Sequence, residues 1–273
     1  MRYFIRFAYK GTNYHGWQTQ PNAMTVQGTL NKALSVITNS AVETIGAGRT
    51  DTGVHAREMY AHLDLPFEVE NESIIYKLNS FLPNDISISD IFQVHDDAHA
   101  RFDAKLRTYE YHINTQKDAF VSDTSWYFSQ PLNIEAMNKA AEKLLEHTNF
   151  ECFSKVGTDV NTFNCKIDKA IWTRSGDRLT FTISADRFLR NMVRAIVGTL
   201  VNVGLKKTTL TEFIEIIESR DRGKAGFSVP AHGLFLTKIK YDYINEAHSP
   251  DSSGILFPEV ARNEATAGKR YSG

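Results

Sequence analysis

Eleven residues, Gly46-Ala47-Gly48-Arg49-Thr50-Asp51-Thr52-Gly53-Val54-His55-Ala56, place one carboxylate on a glycine-flanked turn beside an arginine and a histidine. Asp51 is the residue of this chain most suited to chemistry. Three glycines within eight positions allow positive φ or the close approach of a ligand to the backbone, which an ordinary turn rarely needs so often. A dinucleotide-binding fingerprint does not fit, because its third glycine would fall at 51 and a helix, not a strand, would have to follow. Asp51-Thr52-Gly53 also matches the local triplet of aspartic proteases. That chemistry needs two carboxylates sharing a proton, and the chain holds no second Asp-Thr/Ser-Gly. Arg49 beside it favours an ionised carboxylate, which suits a nucleophile and not a shared-proton dyad.

Two other stretches have the chemistry to meet Asp51. Arg107-Thr108-Tyr109-Glu110-Tyr111 sets two tyrosines on one face of a strand, where an aromatic ring stacks on a base or holds a phenol near a carbon acid. Phe188-Leu189-Arg190-Asn191-Met192-Val193-Arg194 opens an apolar helix, so Arg194 falls among buried neighbours and needs a partner, for which Asp51 is a candidate. His95-Asp96-Asp97-Ala98-His99 has a metal-like composition, but its histidines at i and i+4 require a helix that the preceding strand pattern does not offer, so no metal site is read there. Trp17, Trp126 and Trp172 read as packing aromatics.

The elements that must position these residues follow from periodicity. Strands are expected at residues 3–9, either side of Asp51 (42–45 and 59–65), 86–94, 105–113, 166–173, 179–185 and 234–241. Helices are expected at 26–38, capped by Thr25, and at 71–81, 134–146, 188–203 and 210–219. Helices mixed with short strands in both halves give an α+β chain with two lobes joined through one sheet. The lobe boundary falls near 105, giving an N-terminal lobe 1–105 with the Asp51 loop, a C-terminal lobe 106–244 with Tyr109 and Arg194, and a loosely held tail 245–273.

With 273 residues the chain has length enough for a sizeable core. The start, Met1-Arg2-Tyr3-Phe4-Ile5-Arg6-Phe7, alternates and no run of eighteen apolar residues occurs, so a cytoplasmic protein without membrane spans is expected. Cys152 and Cys165 lack metal-ligand spacing and read as reduced thiols. Net charge is only −1, yet residues 166–207 carry nine Lys/Arg against three Asp. A local excess of that kind steers a polyanion while the rest of the surface stays neutral.

Seven segments in order resemble the tRNA pseudouridine synthase A, or TruA, family. They are Phe7 to Thr12 with Tyr14-His15-Gly16-Trp17-Gln18 and Thr25-Val26-Gln27; Gly46 to Asp51; Leu78-Asn79 with Leu82-Pro83; Ala98-His99-Ala100-Arg101-Phe102; Arg107 to Tyr111; Phe188 to Arg194; and Ala231-His232-Gly233-Leu234. The resemblance runs from about residue 2 to 243 and implies two RRM-like or ferredoxin-like lobes sharing a continuous, mainly antiparallel sheet, with helices on one face and the active-site cleft between the lobes. It implies isomerisation of uridine to pseudouridine at positions 38 to 40 of the tRNA anticodon stem-loop, without metal or cofactor, by a homodimer. In that reading Asp51 is the nucleophile, attacking the base or the ribose C1′; Tyr109 stacks on the target base and helps remove the C5 proton; Arg194 pairs with Asp51; and Arg49 contacts the extruded nucleotide or the strand around it. The uridine is flipped into the pocket. The other function class is a non-catalytic RNA-binding protein of the same fold, which would have no need of Asp51, Tyr109 and Arg194 together. The chain departs from the family at position 52, Thr where Ala is more usual, and in its low overall charge.

Overall fold

Alternation in Arg2–Tyr9 (β1) directs Ile5, Phe7 and Tyr9 to one side and Phe4 to the other, and all four are buried, so both faces of this strand are covered. The computed structural model describes residues 1–157 and 160–244. Residues Met1–Asp242 form one compact unit. After β1 come Val26–Thr38 (α1), Ile45–Gly46 (β2), His55–Asp64 (β3), Asn71–Phe81 (α2), Ile86–Gln93 (β4), Leu106–Asn114 (β5) and Trp126–Tyr127 (β6). Ile134–Lys143 (α3), Ile167–Ser175 (β7), Arg178–Ala185 (β8), Met192–Gly204 (α4), Leu210–Ser219 (α5) and Leu234–Lys240 (β9) complete the order.

Seven strands lie in the order β4-β1-β3-β9-β5-β8-β7, with β2 added to β3 and β6 to β5. Pairing is antiparallel except at β3–β9 and β5–β6. The fold is the expected α+β arrangement with a continuous, mainly antiparallel sheet, and its last strand, β9, joins the first-half strands to the second-half ones. No helix among the described residues is long and apolar enough to cross a membrane.

Local sequence accounts for the helix ends. The Thr25 hydroxyl accepts the Gly28 N–H at 3.2 Å, Asn133 caps α3 by accepting the Ala136 N–H at 3.0 Å, and Thr209 with Glu212 forms a reciprocal capping box on α5. Each such cap stabilises a helix by about 1 kcal/mol. The second-half core joins the Tyr111, Ile113, Phe181 and Ile183 side of the sheet to α3, α4 and α5. A fully buried Phe such as Phe181 contributes about 1.5–3 kcal/mol there. Cys152 and Cys165 are buried in this core, and burial pushes both thiols up to about 12. Trp17 stacks on Phe7 at 5.4 Å and Trp172 packs on Phe181 at 5.0 Å, as packing aromatics do; Trp126 lies against Phe128 at 4.7 Å.

One helix differs from its expected extent. The apolar period runs from Phe188, but α4 begins at Met192, because Asn191 takes a left-handed conformation (φ 66°) that a right-handed helix cannot contain. The Asn191 amide donates to the Ser228 hydroxyl at 2.6 Å instead of capping the helix. Residues 188–191 therefore form a loop. The helix expected at 134–146 tightens into a 3-10 turn at 144–146, and the strands beside Asp51 cover 45–46 and 55–64. The proposed tail at 245–273 lies outside the described residues.

Candidate active site

A row of directly opposed residues crosses the sheet: Tyr9 to Ala56, Ala56 to Leu236, Leu236 to Tyr109, and Tyr109 to Ile183. Opposed residues share a face, so Tyr9 and Tyr109 stand on the same side of different halves of the sheet. The turn between β2 and β3 lies against this row. The Tyr9 hydroxyl and the Thr50 hydroxyl are 2.8 Å apart, and the Val54 N–H donates to the Asp51 carbonyl at 3.1 Å to close the turn.

Residues 11–17 clasp this turn from outside. The Trp17 N–H donates to the Thr50 carbonyl at 3.3 Å and the Gly11 N–H to the His55 Nδ1 at 3.0 Å. A side chain at Gly16, whose φ is +86°, would collide with the Thr50 carbonyl oxygen, and one at Gly11 with the Val54 carbonyl oxygen. From the other half, the Arg107 guanidinium donates to the carbonyls of Ala47 (3.0 Å), Arg101 (2.7 Å), Ala104 (3.1 Å) and Asp186 (2.8 Å). It ties the Asp51 turn to two segments at once.

A cleft of about 950 Å³ opens over these residues, lined by Arg49, Asp51, Arg107, Tyr109, Arg190 and Arg194 among others. All four residues singled out from the sequence face one cavity. Arg194 Nη1 lies 3.6 Å from Asp51 Oδ2, and its Nε donates to the Val229 carbonyl at 2.7 Å, which fixes the guanidinium. Arg190 Nε lies 3.7 Å from Asp51 Oδ1. Both separations exceed hydrogen-bonding distance, so the arginines balance the carboxylate's charge without claiming its lone pairs. Arg194 is 20% exposed, Asp51 29% and Arg190 58%. The Tyr109 ring meets Phe188 edge-on at 5.2 Å, and burial pushes its phenol up to about 12, with the Asp51 charge adding to the effect. That hydroxyl is protonated at neutral pH.

Other residues of the motifs and of the basic run have different settings. His55, four residues from Asp51, is buried and stacks on Phe235 at 4.6 Å; its Nδ1 accepts from Gly11 and its Nε2–H donates to the His232 carbonyl at 3.0 Å, a hydrogen-bonding pattern that assigns the neutral tautomer. Tyr111 shares the face of Tyr109 but is fully buried and donates to the Pro230 carbonyl at 2.9 Å. The basic run at 166–207 does not make one surface. Arg187, Arg190 and Arg194 line the cleft, whereas Arg178 alternates to the other sheet face, where it donates to the His112 Nδ1 at 2.6 Å. His99, part of the metal-like run, has its Nδ1 occupied by the Arg101 and Phe102 N–H groups. Thr52 is exposed. The sequence placed Arg190 only in the basic run at 166–207, not beside Asp51, and gave Arg107 no role. Arg190 lies in a quoted motif but was masked by the helical pattern, and nothing in spacing reveals four carbonyls converging on Arg107.

A charge-balanced carboxylate with free oxygens, a protonated phenol and a polar cleft with arginines on several sides suits covalent work on an anionic polymer. The sequence model of one family, described as tRNA pseudouridine synthase, matches residues 5–103 and 140–242. Asp51 and Arg194 lie inside the matched segments and Tyr109 between them. Proteins named tRNA pseudouridine synthase A are similar along most of the chain. The one from Parabacteroides distasonis is 49% identical over 243 residues, covering 88% of this chain and 96% of the relative. Those from Porphyromonas gingivalis (51% over 245 residues, 88% and 97%) and Bacteroides thetaiotaomicron (50% over 263 residues, 94% and 98%) agree. The chain belongs to the tRNA pseudouridine synthase family.

Proposed function

We propose that this protein isomerises uridine to pseudouridine at positions 38 to 40 of the tRNA anticodon stem-loop, with Asp51 as nucleophile. The observation that carries the reading is the Asp51 carboxylate held between Arg190 and Arg194 in the cleft that Tyr109 lines. The reaction breaks the C1′–N1 bond, forms C1′–C5, gives the C5 proton to solvent and protonates N1, so it needs a group that bonds to the base or sugar and then leaves. A carboxylate does both. The target uridine is extruded from its stack, which costs a few kcal/mol. Arg49, exposed in the cleft, contacts the extruded nucleotide or its strand, and phosphate contacts from the cleft arginines offset the cost. Tyr109 stacks on the base, and its phenol enters the reaction protonated, so it takes up the C5 proton only by passing its own proton to water in the same step. The lobes 1–105 and 106–244 flank the cleft. The working protein is a homodimer in the cytoplasm.

Tritium release from [5-³H]uridine-labelled tRNA, with no metal or nucleotide added, tests the reaction. Wild-type release at positions 38 to 40, lost in Asp51→Asn with tRNA binding and the folded signal retained, is the expected result. Tight binding without release from any anticodon-loop uridine would replace the reading with a non-catalytic RNA binder. Light scattering during size-exclusion chromatography reads the dimer directly.

A further inference from the structure

Phe102 is 75% exposed, so folding buries little of its apolar ring. Its position makes the exposure informative, because the ring lines the same cleft as Asp51. The turn that carries it is rigidly built. The His99 N–H donates to Asp103 Oδ2 at 2.7 Å, the Asp103 N–H returns to the His99 carbonyl at 3.0 Å, and the N–H groups of Arg101 and Phe102 donate to His99 Nδ1 at 3.1 and 3.2 Å. The His99 ring lies 4.2 Å from the Phe102 ring at 32° and packs edge-on against buried His62 at 4.6 Å. The aromatic ring is thus backed by a second ring that is itself anchored in the fold.

Distance to the reacting centre is fixed as well. The same Arg107 Nη2 that donates to the Arg101 carbonyl donates to the Ala47 carbonyl of the Asp51 turn. The Arg101 guanidinium carbon lies 5.8 Å from the Phe102 centroid, and Arg49 and Arg187 line the same cleft. An exposed flat ring among cations matches the pairing of base faces with phosphates that single-stranded nucleic acid requires.

We propose that Phe102 is a stacking platform for the base neighbouring the extruded uridine, with Arg101 holding an adjacent phosphate. This rests on the tRNA reading given above. Extrusion leaves the neighbouring base without a stacking partner on one side, and an aromatic ring fixed beside the pocket supplies one. Phe102 is therefore a positioning residue: it acts on the strand and not on the reacting atoms.

The test compares Phe102→Leu, Phe102→Tyr and Phe102→Trp in two assays, tRNA affinity in an Asp51→Asn background and single-turnover tritium release with Asp51 intact. Stacking of this kind is worth about 1–3 kcal/mol per base, a factor of about 5 to 150. Phe102→Leu, apolar but not aromatic, is expected to weaken affinity or release by about tenfold or more with the thermal midpoint unchanged, and Tyr and Trp are expected to restore most of the loss. Equal behaviour of Leu and Phe at this position, or a loss that neither aromatic rescues, overturns the proposal. If wild type releases no tritium, the functional reading fails separately, and the affinity series still decides whether Phe102 stacks on RNA.

Discussion

Two arginines face Asp51 at nearly equal distances, but they are not equivalent. Arg194 is largely buried and its Nε is committed to the Val229 carbonyl, so its position is set by the fold. Arg190 is mostly exposed and its charge is screened by water and salt. Arg194→Met is therefore expected to lower kcat/KM about a hundredfold, the size of effect seen when one preorganised charge is removed from a reacting centre. Arg194→Lys is expected to recover little, since one ammonium cannot serve both Val229 and Asp51 in the guanidinium's geometry. Arg190→Met is expected to cost about tenfold or less, and that loss should shrink further as salt is raised. Steady-state kinetics at two ionic strengths distinguish them; an Arg190 effect as large and salt-independent as that of Arg194 would contradict the ranking. Tyr109→Phe keeps the ring and removes the phenol. It should lower kcat by about 10²-fold or more with KM little changed, whereas an unchanged kcat would reduce Tyr109 to a stacking surface.

At the scale of elements, the Asp51 turn is held by segments far from it in sequence, and Gly16 is one of the two close points of that clasp. Gly16→Ala combines a left-handed φ with a collision against the Thr50 carbonyl, so it is expected to cost about 1–3 kcal/mol of stability and to reduce turnover more than tRNA affinity. Urea unfolding with parallel activity and binding assays would show it; an unaltered kcat in a folded Gly16→Ala protein would mean that the clasp does not position Asp51. This clasp also marks where sequence reading ends. The bounds of α1 were legible because the apolar period and the Thr25 cap agree there, and those of α2 and α5 came from the apolar period, with Pro83 stopping α2 and no side-chain cap at its Glu70 start. The start of α4 was not, because Phe188 and Leu189 continue the apolar pattern while Asn191, by its φ alone, ends it. Asp51, Tyr109 and Arg194 could be nominated by residue type, and the family resemblance grouped them. The convergence of Arg107 on the Ala47, Arg101, Ala104 and Asp186 carbonyls depends on β5 lying beside β9 and β8, a pairing across the whole chain that no local spacing encodes.

For the whole molecule, the sheet buries titratable rings on both faces, and this bounds the pH range in which the fold is stable. Burial lowers the affinity of His55, His62, His99, His112 and His232 for a proton, His62 to about 4. Below pH 6.5 the unfolded chain takes up protons that the folded chain refuses, so stability present above that value is lost as pH falls towards 4. Burial acts oppositely on tyrosine. Tyr9, Tyr14, Tyr60, Tyr109 and Tyr111 all hold their protons more tightly than free phenols, Tyr109 to about 12. Above pH 10 the unfolded chain releases these protons while the folded chain keeps them, so stability falls as pH rises, by about 1.4 kcal/mol per pH unit for each proton withheld. Urea midpoints measured from pH 4 to 11 should form a plateau between about 7 and 9.5 with a descent on each side. Tyr111, whose hydroxyl is committed to the Pro230 carbonyl deep in the second-half core, sets part of the alkaline limb. Tyr111→Phe should therefore flatten that limb while lowering the plateau by about 1 kcal/mol for the lost hydrogen bond. A limb of unchanged slope would mean that Tyr111 ionises in the folded protein as readily as in the unfolded one, and that the core around it admits water.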